Sequence, residues 1–506
     1  MGASAFSTRT VFGALHGNEN SQTVIYAFII LSVSAIVFAT GGIFAQRISE
    51  KLGQSYAIEF RKNFYSHLAL LPKSTLSKKR VGALSIRFVG DLGAMREWAS
   101  RGLTGIISAS LVIPSAALVL WKLEPTFAQI GLIAIFASFL CMTILGWSHS
   151  KVQASIRRER ANISIDMMER VSVAPDLRLL GRLNKDFRLL DRRGEELADA
   201  AVERTKKVEI LKAIPDVFLG LAAVMLLWVT VRQGLEAGTA AASLATISII
   251  SVYMKDLARV WDMWCAWKIA RDKSQIIFDM ETVKHSKRGK SLPNQPVSIK
   301  VENLLTESFG PLSLDIAPAS RTLLQGTPNI VTRMSHLIAG FEKPVSGEIY
   351  YSDYSRQKIA QRSFAKRIMT LSLTSPILQG SLRRNLTLGC KKRPTDETIL
   401  KAIEKYRLIG LFNRLEGLDG RIDEAGKNLS NAEVLRLLIV RAELAKPKLI
   451  IIDLPVASYD VQDQKLCFSF VTGLKATIIF ACGSTGWDNV LTDKIKLQAD
   501  GLNTVS

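Results

Sequence analysis

Pro447-Lys448-Leu449-Ile450-Ile451-Ile452-Asp453-Leu454 is the stretch that decides how the second half of this chain is read. Four successive aliphatic residues closed by an acid describe a strand buried on both faces with a carboxylate at its end. In nucleotide-hydrolysing proteins this layout carries a magnesium-coordinating Asp, followed at once by a catalytic Glu. Here the following residue is Leu454, which has no group to take a proton from water. The frame is that of ATP-driven chemistry with the general base removed.

Around this strand, residues 297–506 alternate short strand-like runs (322–325, 368–373, 449–453 and 477–482) with helical segments, the pattern of an α/β domain. Residues 286–296 are basic and contain proline, and read as a linker. Upstream of it, five apolar runs occupy residues 24–45, 103–121, 127–147, 214–231 and 239–254. About 20 apolar residues cross a bilayer as a helix. Burial of these runs inside a large soluble domain fits less well, because two of the gaps between them are strongly basic and the other two are very short.

The net charge of +21 over 506 residues, with 48% hydrophobic content, has two classes of explanation, nucleic acid and membrane. Its distribution selects the membrane. The long gaps carry residues such as Lys78-Lys79-Arg80 and Arg157-Arg158, whereas the short gaps hold only Lys122 and Arg232. Basic residues collect on the cytoplasmic side. The long gaps and the carboxy-terminal domain are therefore expected inside and the amino terminus outside, in a bacterial inner membrane. Both long gaps keep helical periodicity and are read as spans extended into the cytoplasm. The five cysteines (Cys141, Cys265, Cys390, Cys467, Cys482) show neither metal-ligand nor redox spacing. Residues 1–22 lack the basic start and short apolar core of a secretory signal, and Phe6 stands where myristoylation needs Ser or Thr.

The order of features from 297 to 506 resembles the ATP-binding cassette of ABC transporters, and the first half resembles an ABC exporter transmembrane domain. In the cassette the resemblance rests on Ile338-Ala339-Gly340, Pro344-Val345-Ser346-Gly347-Glu348-Ile349, Gly380-Ser381-Leu382-Arg383-Arg384-Asn385-Leu386, Asn428-Leu429-Ser430 and Arg441-Ala442 before Pro447. In the first half it rests on residues 64–72, Gly90-Asp91, Arg101-Gly102-Leu103 and residues 178–182. It implies an all-α transmembrane bundle over residues 23–285, after an amino-terminal segment 1–22, and a P-loop-NTPase-like cassette over 297–506. The family has six spans. The match makes 24–45 the second, so that either the first is absent or the start codon is misassigned.

The resemblance also implies site positions, and most have changed. A phosphate loop uses glycines so that backbone N–H groups cradle phosphates, and a lysine that reaches the β and γ phosphates. Here the loop reads Gly326-Thr327-Pro328-Asn329-Ile330-Val331-Thr332-Arg333, with Val331 at the lysine position. Pro328 removes one N–H donor, and Arg333 lies two places late for a phosphate contact. Leu373 replaces the glutamine that senses magnesium, and Gly483 the histidine that follows the last core strand. The signature becomes Leu429-Ser430-Asn431-Ala432-Glu433, and the adenine-stacking aromatic near 304–309 is absent or displaced. Gly326, Thr332, Ser430, Asp453 and Asp460 remain as vestigial nucleotide-site positions, with no catalytic or metal-ligating residue among them.

Two functions remain open. One is a non-catalytic subunit of an ABC exporter, paired as a heterodimer with an intact half-transporter. The other is a membrane-bound pseudo-ABC scaffold or regulator. Neither is expected to bind ATP or magnesium tightly, except through a partner subunit. The bilayer is a partner in both and nucleic acid in neither. Segments 73–81 and 173–181 match the helices through which the family couples cassette to membrane.

Overall fold

A computed structural model describes every residue except 1, 15–20, 78–83, 85–86, 172, 284–285, 287, 308, 373, 482–486, 498–503 and 506. Leu373 and Gly483 therefore lie outside the described residues. The chain divides into two compact units, Met1–Ala69 with Ser77–Met280, and Leu70–Leu76 with Glu281–Ser506.

The first unit is helical. Among its described residues, five helices are long and apolar enough to cross a membrane: Gln22–Leu68, Leu92–Leu123, Pro125–Trp147, Leu183–Gln233 and Ala237–Phe278. Each contains one of the five apolar runs. The continuous helices Ser21–Leu68, Pro125–Val171 and Leu183–Gln233 are far longer than a bilayer needs. Leu183–Gln233 has 51 residues, about 76 Å at 1.5 Å per residue, against an apolar slab of about 30 Å. Pro215 sits inside this helix, where its polar length meets its apolar run. The large aliphatic and aromatic side chains at Ile36, Val37 and Phe38 are mostly exposed, as expected of a surface that meets lipid. Close packing between helices uses small residues. A Cβ at Gly146 would lie 2.7 Å from the Trp261 ring, and the Trp261 indole N–H donates to the Gly146 carbonyl at 3.0 Å. A 13-residue helix, Gly2–Ala14, begins the unit, and its Arg9 pairs with Glu236 at 3.1 Å.

The second unit is α/β. Its main sheet runs in the order Thr504–Val505, Asp493–Lys496, Arg321–Gln325, Thr477–Phe480, Leu449–Asp453, Ile368–Ser372. The last four strands named are those expected from the sequence, and neighbours among them pair in parallel. Leu449 and Ile451 pack into one hydrophobic cluster and Ile450 and Ile452 into another. A strand covered on both faces needs this uninterrupted aliphatic run. A second, antiparallel sheet has the order Leu312–Ile316, Ile299–Leu305, Ser346–Tyr351, Tyr354–Ser355. Residues read as a linker are tied to this unit: Ser286 and Lys290 bridge to Ala360 and Ile359, and Leu292 is buried.

Candidate functional site

The strand Arg321–Gln325 is followed by only two residues, Gly326 and Thr327, before the helix Pro328–Ile338 begins with Thr327 as its N-cap. A phosphate cradle is built from several successive backbone amides, and here two residues stand between strand and helix. Gly326 has another reason to lack a side chain. A Cβ there would stand 2.8 Å from the Leu497 carbonyl oxygen, on the segment whose Leu497 N–H donates to the Gln325 carbonyl at 2.6 Å. Val331 is 1% exposed and packs in the core, so the lysine position points inward. Thr332 lies exposed on the first turns of the helix.

Arg333 turns to carboxylates: it approaches Glu307 at 3.3 Å and Glu342 at 3.4 Å. Glu342 is the hub of this region. Its side chain is 4% exposed, and His336 Nδ1 stands 3.3 Å from it. Burial acts to raise its pKa, but hydrogen bonds from His336 and Ser74 and the charge of Arg333 outweigh that and hold it below the ordinary glutamate range. Segment Leu70–Leu76, which packs as part of this unit, adds a second tie at the next residue. The Lys73 N–H donates to the Phe341 carbonyl at 3.2 Å, and its ammonium lies 5.3 Å from the Phe341 ring centroid.

Asp453 ends its strand opposite Ser372. It is half-buried, and burial pushes its carboxyl above the usual range against the opposing pull of His336 and Lys73. The neighbouring Leu454 is 2% exposed and belongs to the core. Phe309, in the 304–309 region that matches the family's adenine-stacking aromatic, is buried in the core.

Ser430 is the N-cap of the helix Asn431–Ala445 and forms a full capping box with Glu433. Glu433 is also gripped by Arg414 at 2.8 and 2.9 Å. Burial tends to raise Glu433, but the Ser430 N–H and the Arg414 guanidinium hold it below the ordinary range. The positive end of this helix thus already faces a carboxylate of its own chain. Asp460 is likewise a cap, accepting from the Asp463 N–H at 2.7 Å at the start of the helix Val461–Gly473.

Two family models match the chain: the ABC transporter transmembrane region over residues 3–254, and ABC transporter over residues 312–457. The chain is an ABC transporter half. Its exporter-type transmembrane region is fused to a cassette, and its fold is similar to a bacterial Atm1-family ABC exporter with ATP bound. That likeness has a TM-score of 0.86 at 15% identity and covers 100% of this chain and 92% of that one. Over 88% of its length this half-transporter is 18% identical to an uncharacterized ABC transporter ATP-binding protein, YknV, of Bacillus subtilis (strain 168), of which it spans 76%. Over 85% it is 22% identical to the lactococcin-G-processing and transport ATP-binding protein LagD of Lactococcus lactis subsp. lactis, of which it spans 63%.

Sequence reasoning gave no role to Glu342, Arg414 or Leu497, although these organise the positions it singled out. For Glu433 a signal was available, since Ser430-x-x-Glu433 has the spacing of a capping box.

Proposed function

We propose that this ABC transporter half is the non-catalytic member of a heteromeric exporter, paired with an ATPase-competent half that brings its own phosphate loop, general base and histidine. The observation that carries this reading is the two-residue connection after Gln325, with Gly326 under Leu497 and Val331 turned into the core. Loss of a general base typically costs about 10²–10⁴ in rate, and loss of one electrostatic stabiliser about 10²–10³. Such losses are not additive, yet together they leave this chain's own site without a hydrolytic route. ATP and magnesium are accordingly held by the partner or not at all.

A second chain is also suggested by the short helix Ala174–Leu179 between the long helices. Leu179 is 87% exposed and Leu180 70% exposed, an apolar tip that its own unit leaves uncovered. The orientation that fits the basic gaps has the cassette in the cytoplasm and the amino terminus outside, in a bacterial inner membrane.

One observation favours the alternative of a pseudo-ABC scaffold or regulator. Glu433 places a carboxylate where the signature of the family meets the γ-phosphate held by the other cassette. That weakens the partner's site too, and within the exporter reading it implies slow turnover or ATP used as a clamp. A mild-detergent pull-down of the tagged full chain from native membranes separates the two. Recovery of a half-transporter with intact Lys, Glu and His motifs is expected. Self-association alone, in a membrane complex without ATP-dependent transport, overturns the exporter reading in favour of the scaffold.

A further inference from the structure

The helix Asn431–Ala445 that begins at the Ser430 cap ends beside a cleft of about 660 Å³. Its walls are the helix Asp396–Lys405, the turn before that helix, and the segment entering the strand Leu449–Asp453. Six lysines line it, Lys391, Lys392, Lys401, Lys405, Lys446 and Lys448, with one acid, Glu443. Glu443 is used by Lys405 at 2.8 Å and by the Tyr406 hydroxyl at 2.9 Å. Lys401 pairs with Glu397 at 2.6 Å. Among the described residues, Lys391, Lys392, Lys446 and Lys448 have no carboxylate within ion-pair distance.

Lysines near helix carboxyl ends often do no more than complement the dipole. That accounts for Lys405 and Lys446. It does not account for Lys391 and Lys392, which precede a helix, or for Lys448, which precedes a strand. Lys446 adds an independent sign. Its φ is +50°, a left-handed conformation at a helix end where glycine is the unstrained choice. The chain has a lysine there, among the residues that line a cleft already rich in like charge.

Compact ammonium groups with three rotatable donors suit the tetrahedral oxygens of phosphate. The cleft has the size of a small-molecule site, and Pro394, Leu444 and Ala445 give it apolar wall. We propose that it binds a small oligophosphate, inorganic or nucleoside-linked, at a place one helix length from the signature position. The inference stands whether or not the cassette hydrolyses ATP.

Titration of the full chain in zwitterionic nanodiscs with inorganic tripolyphosphate, followed by calorimetry, tests this. Saturable binding is expected that weakens several-fold between about 50 mM and about 250 mM salt, as screening requires. Lys446→Gln with Lys448→Gln should reduce affinity at least about tenfold, whereas Lys427→Gln, at a surface lysine outside the cleft, should not. Lys446→Gly is the sharper variant, because it relieves the backbone while removing the amine. Thermal stability should rise as affinity falls. ATP as a second titrant identifies the source: an equal constant marks a site that reads only phosphates, a tighter one a site that also reads the nucleoside. Absence of saturation, or binding that Lys446→Gly and the double variant leave unchanged, overturns the proposal.

Discussion

Ser430 and Glu433 bind each other twice: the Ser430 N–H donates to Glu433 Oε2 at 2.8 Å, and the Glu433 N–H donates to Ser430 Oγ at 3.2 Å. The residue that the family aims at a nucleotide thus gives its amide N–H, and an acceptor lone pair of its hydroxyl oxygen, to its own helix.

Glu433→Ala should therefore act on stability. Loss of the cap and of the Arg414 pair is expected to cost about 1 kcal/mol, lowering the melting temperature of the cassette by about 2–4 °C. The pH dependence has a definite sign. The folded-state pKa of Glu433 is depressed, so its contribution is present above the unfolded-state value of about 4.3. It is lost as pH falls through the lower folded value. Calorimetry of both proteins should show the gap between them closing on acidification, and a gap that widens contradicts this role.

Gly326→Ala separates packing from phosphate binding. Its new methyl would stand 2.8 Å from a backbone oxygen of Leu497, which cannot rotate away, and overpacking of this kind costs about 1–3 kcal/mol. The variant should unfold at lower denaturant with its response to ATP unchanged. An unaltered midpoint together with lost ATP binding would return this glycine to a phosphate loop.

Leu454→Glu restores the general base on paper only. The position is 2% exposed, so the change forfeits about 1.5–3 kcal/mol of aliphatic burial and adds a buried carboxylate without a partner. Destabilisation of at least about 3 kcal/mol is expected, with no phosphate release from Mg-ATP by the full chain. Turnover gained by this single substitution would sink the non-catalytic reading.

Topology can be read by labelling single cysteines in a background with the native five replaced. A cysteine at Gln233, in the short gap after the fourth span, should react with an impermeant maleimide in intact cells. One at Arg192, in the long basic gap, should react only after permeabilisation. The reverse pattern would invert the orientation.

The five candidate spans and the four parallel core strands were legible because each is encoded by a contiguous apolar run: the Leu449–Asp453 strand needs only its own five residues to be recognised. The contacts made at the candidate site positions were not legible. Gly326 looked like the survivor of a phosphate loop, because the Leu497 carbonyl that excludes a side chain arrives from the far end of the cassette. Arg333, two places late for a phosphate contact, is claimed by Glu307 and Glu342, and no local pattern announces either acid. Residues 286–296 read as a linker because the bridges to Ala360 and Ile359 are long-range pairings without periodicity. The Ser430–Glu433 box is the opposite case, a local pattern overshadowed by comparison with the signature it replaces.

Pro215 has a mechanical consequence. A proline inside a helix cannot donate to the carbonyl four residues before it, here that of Leu211, and helices bend at such points. The joint lies where the polar shaft beginning at Leu183 meets the apolar run. The shaft below it is about 48 Å long at 1.5 Å per residue, and a bend of about 10° would carry its tip through about 8 Å. A small change of angle at this joint is, by length alone, a large displacement at the far end of the helix.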